Sequence, residues 1–358
     1  MPILKLYRTW KEQIRAIRPN QRITQIQNFA WMMVGIYRSR SVHLSKVAGK
    51  VLGNAKLLST VRRFERFLDN PAIAVREWYE PIAKQWMAAQ WQHLRELRLI
   101  VDGTKVGFGH QLLMVSLAYR RRSIPIAWTW VNYVRGHSSA KKQIELLKYV
   151  KTLLPRKSVV FLVGDSEFGS ISVMKQLNRW HWVYALRQKS NTGFRAGKFG
   201  RWQSLGSFMK KAGESVWLPN GFLTQEHAFP TSVLLYWKVG ETEPWCLATN
   251  LSHPKLVLQY YKRRMWIDEM FGDLKRHGFD LESTMLRTAE HLSRLTLVVA
   301  FLFDWLISAG AKVIRLGLRH LVDRKERRDL CLFQIGCRFV ERQLLRLSAF
   351  PLALCTYS

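Results

Sequence analysis

The sequence is short of acid. Its 358 residues hold 25 Asp and Glu against 57 Lys and Arg, a formal charge of +32 with a sequence pI near 10.5. An imbalance of this size is what a polyphosphate partner selects, because each neutralised phosphate releases condensed counterions. Cysteine is scarce as well. Cys246, Cys331, Cys337 and Cys355 make no CxxC pair and have no matching His cluster. That suggests neither a zinc site nor a disulfide framework and fits a reducing cytosol. The first residues, MPILKLYRTWKEQIR, lack the apolar region of a signal peptide. No Ser/His/Asp or Cys/His nucleophile signature is present. No repeat or low-complexity segment stands out. A long apolar run occurs at residues 295–311 (LTLVVAFLFDWLISAGA). It is short for a span and carries Asp304 and Trp305 near its middle, so it reads as a buried core helix and no membrane contact is expected.

What the chain does hold is enough apolar material, 48% of residues, for a real core and two or three domains. Its 15 Trp suit base stacking as well as core filling. Residues 1–95 read as all-helical. Residues 43–53 (HLSKVAGKVLG) and 56–68 (KLLSTVRRFERFL) form two helices across a turn at Gly53-Asn54. The second keeps Leu57, Val61, Phe64 and Leu68 on one face, with Lys56, Arg62, Arg63 and Arg66 elsewhere. Two readings fit: a helix-turn-helix whose Arg62 and Arg63 face a major groove, or a helical hairpin with a solvated basic face.

From residue 96 the period changes to strands. Runs at 97–102, 111–119 and 124–131 are followed by an amphipathic helix at 138–154, capped at Ser138-Ser139 and stopped before Pro155. A strand at 158–164, a helix at 171–180 and a strand at 182–186 complete a β-β-β-α-β-α-β order. This is the layout of an RNase H-like mixed sheet over residues 96–187. Residues 188–250 read as a β-rich insertion, with strands at 232–239 and 245–249. The core resumes over 251–315, and a densely basic helical C-terminus, 316–358, closes the chain with a helix expected near 318–347.

Two of the strands end in an acid, Asp102 and Asp165, and the sheet order sets them side by side. Residues 261–275 (YKRRMWIDEMFGDLK) place Tyr261, Arg264, the pair Asp268-Glu269 and Lys275 at steps of three, four and seven, along one helical face. Hard divalent cations want oxygen ligands, and Mg²⁺ takes a few carboxylates while leaving room for water and phosphate. Two strand-end aspartates and a helical carboxylate suit a two-metal site, in which one ion activates water or a 3′-hydroxyl and the other stabilises the leaving oxygen.

Three motifs, VDGTKVG around Asp102, LVGDSEFG around Asp165, and YKRRMWIDEMFGDLK, together resemble a DDE transposase of the bacterial insertion-sequence family 4. The last follows that family's Tyr-Arg-Glu-Lys signature, and the likeness spans roughly residues 96–315. The resemblance implies that Asp102, Asp165 and Asp268 hold catalytic Mg²⁺, with Mn²⁺ able to substitute. It implies that Tyr261, Arg264 and Lys275 contact transposon-end DNA. It implies double-stranded DNA, both ends and target, as partner, and a homodimer in a paired-end complex in the bacterial cytoplasm. Trp245 lines up with a family position that stacks on a flipped base, and reads equally as a core Trp of a small β-unit. The family has Glu where this chain has Asp268, so either Asp268 or its neighbour Glu269 supplies the third ligand. A degenerate DNA-binding remnant and an RNase H-like host nuclease are the other readings.

Overall fold

The computed structural model describes residues 2–107, 109–132 and 138–345. Arg346, Cys355 and the rest of residues 346–358, the end of the expected basic C-terminus, lie outside them. The chain opens with α1 (Pro2–Ile17), α2 (Ile23–Ser39), α3 (Leu44–Ala48), α4 (Leu57–Asp69) and α5 (Val75–Leu94). In α4 the helical spacing holds: Val61, Phe64 and Leu68 are buried and Arg62 and Arg66 face outward. Leu57, expected inward, stays exposed in the first turn. The expected helix at 43–53 is only the five residues of α3, closed by Gly49. Gly53 beyond it takes φ +149°, a backbone open to glycine. These helices share one core with the end of the chain. Trp10 meets Trp305 edge to face at 5.2 Å, Phe29 meets Phe301 at 4.9 Å, and the Tyr37 hydroxyl donates to the Cys337 carbonyl at 2.9 Å.

β1 (Leu97–Val106), β2 (His110–Tyr119) and β3 (Arg122–Asn132) form an antiparallel meander of β-branched and aromatic residues, buried nearly throughout. α6 (Ala140–Leu153) starts where the sequence places its cap, Ser139 accepting from the Lys142 amide. It leads to β4 (Val160–Gly164), parallel to β1. Then α7 (Ile171–Arg179) leads to β5 (Val183–Gln188), parallel to β4. The strand order 3-2-1-4-5 is the expected mixed RNase H-like sheet with helices against it.

The β-rich stretch does not fold as a body apart. β6 (Gly193–Arg195), β7 (Trp202–Ser204), β8 (Ser215–Leu223), β9 (Phe229–Tyr236) and β10 (Trp245–Thr249) extend the same sheet. β10 pairs antiparallel with β5 from Cys246–Gln188 to Thr249–Ala185, giving ten strands in the order 3-2-1-4-5-10-9-8-6-7. The pairing satisfies the β5 edge, which would otherwise expose a row of unpaired backbone groups.

α8 (Pro254–Tyr261), a 3₁₀ turn (Lys262–Arg264) and α9 (Met265–Leu274) follow, so the single helix expected at 261–275 is broken after Tyr261. α10 (Ala289–Arg315) contains the apolar run, which is core: residues 295–311 are buried, including Asp304. α11 (Leu332–Leu345) crosses α10 at two glycines. A Cβ on Gly310 would stand 2.1 Å from the Leu332 carbonyl oxygen, and one on Gly336 2.0 Å from that of Leu306. The helix expected from 318 is absent up to residue 331, apart from a short turn at Leu318–Leu321. Arg324, Lys325, Arg327 and Arg328 repel one another there and offer no apolar stripe to bury.

Candidate active site

The parallel ladder of β1 on β4 runs from Leu97–Val160 to Val101–Gly164. The next residue on each strand is an aspartate. Asp102 therefore marks the end of the parallel pairing and not, as expected, the end of its strand; β1 continues to Val106 on pairing with β2 alone. Asp165 leaves β4 and caps a 3₁₀ turn (Ser166–Phe168), its Oδ1 accepting from the Glu167 amide at 2.9 Å. Asp102 Oδ1 accepts from the Gly103 amide at 2.8 Å. Each carboxylate is thus fixed by one oxygen to backbone.

The other oxygens meet at one guanidinium. Arg264 Nη2 donates to Asp102 Oδ2 at 2.8 Å and lies 3.9 Å from Asp165 Oδ2; Nη1 donates to Asp268 Oδ2 at 2.8 Å. The sequence thus places three carboxylates from β1, the end of β4 and α9 at one point. The side chains open outward in steps, Asp102 4%, Asp165 32% and Asp268 40% exposed. Burial pushes the Asp102 carboxyl well above the usual carboxylate range; Arg264 pulls against this and the Asp165 and Asp268 charges add to it. Asp165 and Asp268 are raised as well, burial again the main cause. Arg264 is the cation in direct contact with all three acids, and the Arg187 charge also acts on Asp165.

Glu269 faces elsewhere. It pairs with Arg122 at 3.0 Å, and its side chain is 58% exposed; the same Arg122 donates to Asp273 at 2.8 Å. Adjacent helical residues point about 100° apart, and that rotation separates Asp268 from Glu269.

Tyr261 is buried, its ring edge-on to Trp245 at 5.1 Å, and Tyr236 lies 5.8 Å from Trp245. Tyr261 and Trp245, both expected at the DNA, therefore belong, as placed, to one aromatic group, with Trp245 only partly covered. Lys275 follows the last residue of α9 and stands outside the cluster, donating to the Lys105 carbonyl at 2.6 Å and pairing with Glu282 at 2.9 Å. Arg62 lines a different cleft of about 850 Å³ with Ser59, Arg66, Leu286 and His291. Arg63 is half-buried, its guanidinium 5.4 Å from the Phe64 ring centre.

The sequence reading passed over Glu167, although it stands inside LVGDSEFG. Its Oε1 accepts from the Ser138 amide at 2.8 Å and its Oε2 from Gln111 Nε2 at 2.8 Å, tying the turn after Asp165 to β2 and to the start of α6. An acid two residues beyond a strand-end aspartate was the available signal.

As the side chains stand, no three acids, imidazoles or thiols among the described residues close on one point as ligands of a single ion would. The three aspartates meet through a cation instead. Their chemistry still fits a hard metal: they are all-oxygen donors, and two are fixed by backbone amides.

A mixed sheet with two aspartates where one parallel ladder ends, and a third from the helix packed beside it, defines an α/β protein suited to phosphate chemistry with hard cations. Residues 94–303, well over half of the chain, match the Transposase DDE domain family, and the chain belongs to it. Among curated proteins no sequence match is found. Among solved structures the chain is similar to a piggyBac transposase in a cryo-EM synaptic complex with hairpin DNA. The two are 12% identical, with a TM-score of 0.45 over 97% of this chain and 80% of that one.

Proposed function

We propose that this chain is a cut-and-paste DNA transposase of the bacterial insertion-sequence family 4, with Asp102, Asp165 and Asp268 as its catalytic carboxylates. The observation that carries the reading is the convergence of these three acids on Arg264. Asp102 and Asp165 would present Oδ2 while Oδ1 stays on the backbone, and Asp268 would complete the set from the open side. These are the residues that would hold Mg²⁺, or Mn²⁺ in its place. Bound there, the divalent cations would supply an activated water or 3′-hydroxyl and a stabilised leaving oxygen. Arg264 and Lys275 match phosphate oxygens by chemistry, Arg as a fork and Lys as a point charge. Trp245 offers a partly open ring to a base, and Arg62 on the outward face of α4 offers charge to the end DNA. The charge of +32 supports double-stranded DNA as partner; two copies acting on paired ends is what the resemblance to that family implies.

The test is end-specific nicking of DNA carrying the ends of the chain's own element, with Mg²⁺ or Mn²⁺. Asp102→Ala and Asp268→Ala abolish cleavage and Glu269→Ala retains it. Binding without cleavage under either metal refutes the active enzyme in favour of a DNA-binding remnant, which the shorter Asp268 in a glutamate position would explain. Cleavage without preference for ends favours a host nuclease.

A further inference from the structure

We infer that Arg264 is the resident counter-ion of the three aspartates, and that a divalent cation reaches them only by displacing it. The displaced guanidinium then becomes available to a DNA phosphate. This rests on the reading of Asp102, Asp165 and Asp268 as metal-holding residues.

The two Nη groups are each committed to a different aspartate at 2.8 Å, and the third aspartate lies 3.9 Å away. The guanidinium therefore stands at the point toward which the free carboxylate oxygens face. A divalent ion binds such oxygens at about 2.1–2.5 Å and needs their inward lone pairs, which the N–H groups now use. Ion and guanidinium are also like charges, so the two exclude each other both in space and electrostatically.

Three features suit Arg264 to leave. Its Nε is buried without a hydrogen-bond partner, so only the forked end is held. It is the last residue of the 3₁₀ turn (Lys262–Arg264) that joins α8 to α9, where the helical pitch tightens. The cluster opens on the side of Asp268, the most exposed of the three acids, which leaves the fork a way outward. A guanidinium released there is a bidentate phosphate ligand. Metal and DNA would then favour each other's binding, and the coupling must be reciprocal.

The test is Mn²⁺ binding by calorimetry and by electron paramagnetic resonance, with no turnover. It compares the wild-type chain, Arg264→Ala, Arg264→Lys and Asp102→Asn. Arg264→Ala should bind Mn²⁺ about tenfold tighter than wild type, ~1.4 kcal/mol. Arg264→Lys, which keeps the charge but cannot bridge two aspartates, should fall between them. A short DNA duplex should tighten Mn²⁺ binding to wild type and do so less for Arg264→Ala. Equal or weaker Mn²⁺ binding by Arg264→Ala overturns the inference. Where that variant does not fold, Arg264→Lys with unchanged affinity overturns it. Failure of the underlying reading looks different: no Mn²⁺ bound by any of the Arg264 series at millimolar concentration, or binding that Asp102→Asn leaves intact.

Discussion

Asp304 gives a prediction whose size follows from a few contacts. It lies in α10 with no exposed surface, and its Oδ2 is bonded to the Tyr79 hydroxyl. The same hydroxyl lies 2.9 Å from the Pro125 carbonyl oxygen, to which it donates. A hydroxyl has one proton, so it cannot serve both acceptors. The contacts are satisfied together when Asp304 is protonated and donates to Tyr79, which donates to Pro125. Burial agrees: it holds the Asp304 carboxyl well above the ordinary range. The folded chain thus keeps a proton that the unfolded chain loses near pH 4. Stability from this group is therefore present in acid and falls as pH rises, by ~1.4 kcal/mol per unit while the folded carboxyl stays neutral.

Asp304→Asn removes that dependence. The amide donates to Tyr79 in the same place at any pH, and its second N–H goes unpaired in the core, a fixed cost of ~1–3 kcal/mol. From pH 5 upward the variant should gain on the wild type by ~1.4 kcal/mol per unit for as long as the wild-type carboxyl keeps its proton, starting level or slightly behind. Urea unfolding of both proteins at pH 5, 6 and 7, followed by circular dichroism, measures the gap. A gap that stays constant across this range refutes the neutral acid.

Two further predictions concern packing. Gly336→Ala sets a methyl 2.0 Å from the Leu306 carbonyl oxygen and must push α11 off α10, costing ~1–3 kcal/mol or more; differential scanning calorimetry reads it, and Gly310→Ala should act alike. Trp10→Ala removes the buried ring joining α1 to Trp305 and should cost ~3–5 kcal/mol, with proteolytic cleavage appearing first among the N-terminal helices. Wild-type susceptibility in that region after the substitution would show that α1 is not held through this contact.

How much of this was legible in the sequence depends on what each element answers to. β10, Trp245–Thr249, was read to the residue because an apolar β-rich run sits between turn signals. The spacing of Arg264 and Asp268 was legible because an i,i+4 step survives the small change of pitch at residues 262–264. The change of pitch itself was not, since nothing in YKRRM opposes a regular α-helix locally. The extension of β1 to Val106 and the joining of β10 to β5 depend on pairing with distant strands, which period alone does not specify. The roles of Asp268 and Glu269 were likewise undecidable from adjacent letters; Arg122, from β3, draws Glu269 to itself. Glu167 was missed because its partners, Ser138 and Gln111, lie 29 and 56 residues away.

The ladder between β1 and β4 has a consequence for how this chain tolerates change. Five rungs, Leu97 to Val101 against Val160 to Gly164, act as a ruler that delivers both aspartates to the same height. Loss or gain of one residue within either run would turn its aspartate to the opposite face of the sheet. A change of two would keep the face and move the acid about 6.6 Å along the strand, beyond reach of Arg264 and its partner acid. Side chains within the rungs can vary among apolar types, while their number cannot. Insertions and deletions in these ten residues should therefore be far more damaging than substitutions, a pattern a deletion scan would display directly.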